Sequence, residues 1–290
     1  MMSTDLTTLM ETTAFAEPPA TTRGKFRQAF GDGMVLAKRN LSHIRRVPEK
    51  LIDVTLQPVL FVFLFGYVFG SAIVVPGGGN YREYLMPGIF VFTMASTLPT
   101  TAVGFAQDLS KGVIDRFRSL PMARSGVLLG RSISDVAEAL LGLTVLATCG
   151  LLAGWRVNDG AASALAGFGL MLLLACAFNW IGMYVGQIVR DPEAAQAVMF
   201  ATIFPLMFVS NSFVPTAGMP TWLRTFAEWN PISATIQACR DLFGNTGDAV
   251  PASAAWPLHH PVVASLFWSV LLLAIFVPLA VRRYRTATQR

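Results

Sequence analysis

Long runs of apolar positions, separated by shorter polar stretches, organise this chain. Six stand out, at residues 51–75, 85–107, 132–154, 162–186, 194–213 and 261–281. The first is nearly free of charge after Asp53 and reaches roughly 37 Å as an α-helix, enough to cross a hydrocarbon core of about 30 Å with some tilt. Blocks of this length exceed ordinary core helices. They predict an all-α, polytopic membrane protein with six transmembrane helices, a membrane domain over 51–281.

Three shorter segments carry a helical period instead of a continuous apolar run. Phe26, Phe30, Met34, Ala37, Leu41 and Ile44 recur at steps of four and three, and most basic residues of that stretch fall elsewhere. Residues 23–50 therefore predict an N-terminal amphipathic interfacial helix, its cations near anionic lipid head groups. In the loop 108–131, Val113, Phe117 and Leu120 form a short apolar stripe, Lys111 and Asp115 an i,i+4 pair, and Pro121 a helix stop. Such a helix suits docking in a protein groove, though the same pattern also fits a solvated loop. Residues 214–260 predict short re-entrant outer helices between spans five and six. There Asn230 caps a helix opened by Pro231, with Ile232, Ile236, Cys239 and Phe243 in one stripe and Gln237, Arg240 and Asp241 on other faces. This segment could close the outer end of a pathway or lie inert at the interface.

Composition agrees with a lipid solvent: 13% of the 290 residues are charged and 53% apolar, against about 25% charged in soluble domains. A net charge of +5 does not point to nucleic acid, because the basic residues sit beside the apolar blocks. With six spans, 18 of the 22 Lys and Arg residues fall on the face that holds both termini and only four, Arg82, Arg156, Arg224 and Arg240, on the other. The positive-inside rule then places both termini in the cytoplasm of a multi-pass cell-membrane protein, with membrane lipids as neighbours. The same topology puts Trp155, Trp222, Trp229, Trp256 and Trp268 on or near the outer side and Trp180 toward the inner. Residues 1–22, rich in Thr, Ala and Pro, read as a disordered cytoplasmic tail without the apolar core of a signal peptide, and 282–290 as a basic cytoplasmic tail.

Chemistry-bearing motifs are few. Cys149, Cys176 and Cys239 lack metal-type spacing, His43, His259 and His260 lie in basic or interfacial segments, and no HExxH occurs. No GxxxxGK[ST] phosphate loop occurs either, so the chain is not expected to bind ATP or to be an enzyme by itself; ATP and Mg would belong to a partner. The middles of the spans lack ionisable groups. Asp135 follows Arg131 by four residues and is held by an i,i+4 pair, while Glu138 is either wet, on a helix extending below the membrane, or a gate charge. Asn179, Ser210 and Asn211 are polar positions in spans four and five, by default helix-to-helix hydrogen-bond partners, otherwise lining a pathway. Glycines four apart occur at Gly66 and Gly70, Gly150 and Gly154, and Gly182 and Gly186, close to the number that composition alone produces.

YLMPGIF from Tyr84, DRFRSLPMAR within the loop, and FVPTAGMPTWL followed by NPISATIQACRDLF resemble, in order and spacing, the type-2 ATP-binding-cassette (ABC) exporter permeases of the daunorubicin-resistance type. The resemblance spans residues 25–285. It implies a permease that pairs with a second copy or a sister chain and with a separate ABC ATPase. It also implies a coupling helix resting on that ATPase, here Asp108, Lys111, Gly112, Val113, Asp115, Arg116, Phe117 and Arg118. Glu138, Asn179, Ser210, Asn211, Arg240 and Asp241 are candidates for the pathway or its gate. Export of a hydrophobic or amphiphilic compound is the leading reading, with a lipid or lipid-linked glycan as alternative cargo. An ion-coupled transporter lacks the expected mid-membrane carboxylates, and a non-transport scaffold would act without any ATPase.

Overall fold

The computed structural model describes residues 56, 59–60, 63–64, 81–112, 124–189, 191–213, 216–245 and 254–286. The N-terminal tail, the amphipathic segment 23–50, nearly all of the first apolar block, the loop centre 113–123 and the last four residues lie outside them. The described residues are helical, without strands: α1 (Tyr81–Ala95), α2 (Thr97–Ser110), α3 (Arg124–Leu152), α4 (Gly160–Ile188), α5 (Pro192–Phe208), α6 (Thr221–Trp229), α7 (Pro231–Phe243), α8 (Trp256–His259) and α9 (Pro261–Thr286).

Among the described residues, four helical stretches are long and apolar enough to cross a membrane: Glu83–Ser110, Leu128–Leu152, Gly160–Ile188 and Pro261–Tyr284. The chain is thus a multi-pass membrane protein. The first stretch joins α1 to α2 across Ser96, whose backbone stays helical at φ −67°, ψ −11° and donates to Phe92 at 3.0 Å. Pro99, lacking an N–H, cannot donate to Ala95 and loosens the ladder there. The fifth block is shorter than expected: its helix ends at Phe208, after 17 residues, and spans only about 25 Å. Residues 209–213 leave the helix and fold back into the protein, where Ser210, Asn211, Ser212 and Phe213 are all buried.

α4 is the central element, packed along α2 and α9, with α7 wedged between α1, α4 and α9. Gly182 and Gly186 permit the α2 contact. A Cβ at Gly182 would stand 2.6 Å from the Leu98 carbonyl oxygen, and one at Gly186 2.5 Å from that of Ala102. Two apolar cores follow. At one end, Phe90, Trp155, Phe168 and Phe243 interlock, with Trp155 edge-on to both Phe90 (5.0 Å) and Phe243 (5.2 Å). At the other, Phe105, Leu128, Trp180, Met183, Ala280 and Tyr284 gather the ends of α2, α3, α4 and α9. Trp155, expected at the membrane interface, is instead 1% exposed, because α7 covers it and Asn245 accepts its indole N–H at 2.7 Å. Trp222, Trp229 and Trp256 are exposed on α6 and α8, as interfacial indoles should be.

Candidate functional site: a loop base and a re-entrant cap

The loop 108–131 enters and leaves the membrane domain through two helix ends. Asp108 belongs to the last turn of α2, not to a separate loop helix: α2 runs on to Ser110, and Gly112 at φ +65° breaks it. Lys111 and Gly112 form that terminating turn, their N–H groups donating to Gln107 and Leu109. The expected Lys111–Asp115 pair reaches beyond Gly112 to a residue outside those described. Val113, Asp115, Arg116, Phe117 and Arg118 lie outside the described residues. On the return side, helix begins at Arg124, so Glu138 sits fourteen residues into α3, half-buried.

Between the two ends lies a polar chain. The Arg131 guanidinium donates through Nη1 to Asp108 Oδ2 and through Nε to Asp135 Oδ1, both at 2.9 Å. The expected i,i+4 pair is thus present, joined by a second carboxylate that sequence spacing did not indicate. The Thr101 hydroxyl donates to Asp135 Oδ2 at 3.1 Å and meets the Asn179 side-chain amide at 3.2 Å. A hydroxyl has one proton to give. With it on Asp135, Thr101 Oγ1 accepts from Asn179, whose amide turns its Nδ2 toward the hydroxyl. Asn179 is thus a fully buried link between α2 and α4 within one chain.

At the opposite end the cap is built around Arg240. Asn230 caps α7 through its Oδ1, which accepts from Ile232 N–H at 2.9 Å, while its Nδ2 donates to the carbonyls of Leu206 and Val209. One side chain thereby starts α7 and ends α5. The stripe Ile232, Ile236, Cys239 and Phe243 is fully buried as the period predicts, but Gln237 and Arg240, placed on other faces, are buried too. Arg240 donates to the carbonyls of Tyr84 (2.9 Å) and Asn211 (2.7 Å) and lies 3.5 Å from the Tyr84 ring centroid, its Nη2 also 3.5 Å from Ser212 O. Asn211 N–H donates to Ser233 at 3.1 Å, and the Ser210 hydroxyl contacts Met207 O and Ser212. Ser210 and Asn211 are therefore bound into the turn after α5. Asp241, half-buried, accepts from Gln237 at 3.0 Å. Gly88 is required here, since any Cβ would overlap the Ser212 carbonyl.

Two further contacts close the cap. Tyr81 donates its phenol to Phe213 O at 3.1 Å; burial and then the Tyr84 phenol push its pKa up to about 12, so the donor proton stays in place at physiological pH. Glu228, paired with Arg224 at 2.6 Å, accepts from Ala255 N–H at 2.7 Å and fastens the segment leading into α8.

Known proteins match the sequence that contains the loop base and α7. The profile described as ABC-2 type transporter covers residues 33–243. The chain belongs to this family. It is an ABC transporter permease, and membership implies an ATPase partner. The daunorubicin resistance ABC transporter permease protein DrrB1 of Streptomyces coeruleorubidus is 30% identical over 247 residues, covering 85% of this permease and 83% of the relative. The doxorubicin resistance ABC transporter permease protein DrrB of Mycobacterium tuberculosis H37Rv is 28% identical over 198 residues, 68% of each chain. The matched region of the permease contains both the loop base and α7. Sequence reasoning missed Thr101, Gly104 and Tyr84 as partners, because their contacts join residues far apart in the chain.

Proposed function

We propose that this permease is the membrane subunit of an ATP-driven exporter that moves a hydrophobic or amphiphilic compound out of the cell by alternating access. A separate ATPase, carrying the ATP and Mg, docks on the loop 108–131 at the cytoplasmic side, and the path runs between two permease copies. The observation that carries this reading is the family match across the loop and the cap together, supported by likeness to permeases named for daunorubicin and doxorubicin resistance. The 18-to-4 distribution of basic residues supports cytoplasmic termini, and the lack of a phosphate loop supports a chain that is not an enzyme alone.

The test is co-expression with a soluble chain that carries a phosphate loop, sought first in the neighbouring gene. The two are expected to co-purify, and Phe117→Ala or Asp115→Lys to abolish doxorubicin-stimulated ATP turnover while membrane insertion is unchanged. Failure of the wild-type chains to associate overturns the exporter reading. Normal stimulated turnover in both variants removes the docking assignment alone.

A further inference from the structure

We propose that Arg131 is a positioning residue that makes the two helix ends of the coupling loop move as one unit and passes that movement to α4. The proposal rests on the exporter reading above. Its grounds are geometric. Residues 101, 104 and 108 lie on one face of α2 at helical spacing; Arg131 touches the last two and is linked to the first through Asp135. It pairs with Asp108 at 2.9 Å, lies across Gly104, where a Cβ would stand 2.5 Å from Nη2, and reaches Thr101 through Asp135. Gly104 leaves the room in which the guanidinium can lie flat on the helix. Thr101 then hands the contact to Asn179, in the C-terminal half of α4.

Asp108 and Arg131 lie on either side of the loop, one in the last turn of α2 and the other in the second turn of α3. A push on the loop from an ATPase arrives at both helices. Without a bridge, each end can yield separately. With one guanidinium holding a carboxylate from each helix, neither end moves without the other, and the Asp135–Thr101–Asn179 path carries the displacement into the element that packs along both α2 and α9. Arginine suits this role because its fork serves two carboxylates at once, which an ammonium point charge does less well. The Arg131–Asp135 half is partly shielded, at 24% and 11% side-chain exposure, so salt screens it less than a surface pair, while Asp108 on the other side is 40% exposed and its half is screened more.

The test uses the full permease with its partner ATPase in proteoliposomes, with a reporter cysteine at Trp222→Cys on the exposed face of α6 and the parent chain's labelling subtracted. An impermeant maleimide is applied with and without ATP. Wild type is expected to change its labelling rate with ATP. In Arg131→Met the ATPase still co-purifies, but the ATP-dependent change shrinks by at least about fivefold, the lower end of ordinary coupling between sites. Asp108→Arg alone loses the ATP-dependent change as well. The charge-exchanged pair Asp108→Arg with Arg131→Asp, which places one cation on α2 against two carboxylates on α3, recovers much of the response.

A wild-type response in Arg131→Met overturns the clamp alone. So does loss without recovery in the exchanged pair, which assigns Arg131 a purely local packing role. A wild-type complex whose labelling ignores ATP overturns the exporter reading, and the clamp with it.

Discussion

Arg240→Ala permease is expected to insert into the membrane normally and then to melt roughly 10 °C below wild type after purification. Insertion depends on the apolar length of each span, whereas the assembled bundle depends on contacts between them. Arg240 is fully buried and supplies the charged donor to Tyr84 O and Asn211 O, with Ser212 O near its Nη2. Tyr84 O keeps its helical partner, but Asn211 O is left with only the 3.4 Å contact from the Tyr84 hydroxyl. Orphaned carbonyls cost about 1–3 kcal/mol each and a truncated buried side chain leaves a cavity, so a loss of about 3–5 kcal/mol is expected. Arg240→Lys should recover only part of it, because an ammonium cannot lie flat over the Tyr84 ring or reach two carbonyls with a rigid fork. Thermal unfolding followed by size exclusion decides: an alanine variant that melts with wild type would mean that the cap does not depend on this cation.

Gly186→Val is expected to disrupt the bundle from the opposite direction, by adding volume. The new Cβ would meet the Ala102 carbonyl at 2.5 Å, and a backbone oxygen cannot rotate away as a side chain can. α2 must shift, which pulls Thr101 from Asn179 and loosens the chain leading to Arg131. Overpacking of this kind costs about 1–3 kcal/mol, and the doubly substituted Gly182→Val/Gly186→Val chain should fail to give monodisperse protein. Gly169→Ala in the same helix is the control, since nothing lies within 4 Å of its added Cβ. Alanine there gains up to about 1 kcal/mol of helix propensity. Equal stability of Gly186→Val and Gly169→Ala would show that the α2–α4 approach is not close enough to matter.

Both residues show how a local pattern can be read correctly and its setting missed. Period alone placed Ile232, Ile236, Cys239 and Phe243 on one stripe, and the Asn230–Pro231 start of α7 is observed. The same period put Arg240 on another face, which it occupies. That this face is also covered follows from Tyr84, 156 residues earlier, and from the turn after α5. Trp155 is a parallel case: an indole beside a span end reads as interfacial, and only the docking of Phe243 and Asn245 removes it from the surface. Gly182 and Gly186 shared their spacing with Gly150 and Gly154, yet Gly154 stands at φ +96° in a turn with open space around it.

What the sequence determined by itself was whatever depends on near neighbours and solvent. Apolar block length specified helices fit for lipid, the Asn230–Pro231 cap specified where α7 begins, and the i,i+4 rule specified Arg131 with Asp135. Tertiary structure alone decided which polar groups meet across the bundle. Asp108 reaches Arg131, Thr101 reaches Asn179 and Arg240 reaches three carbonyls only after separate helices have packed, because partner choice across a fold is set by helix packing and not by spacing along the chain.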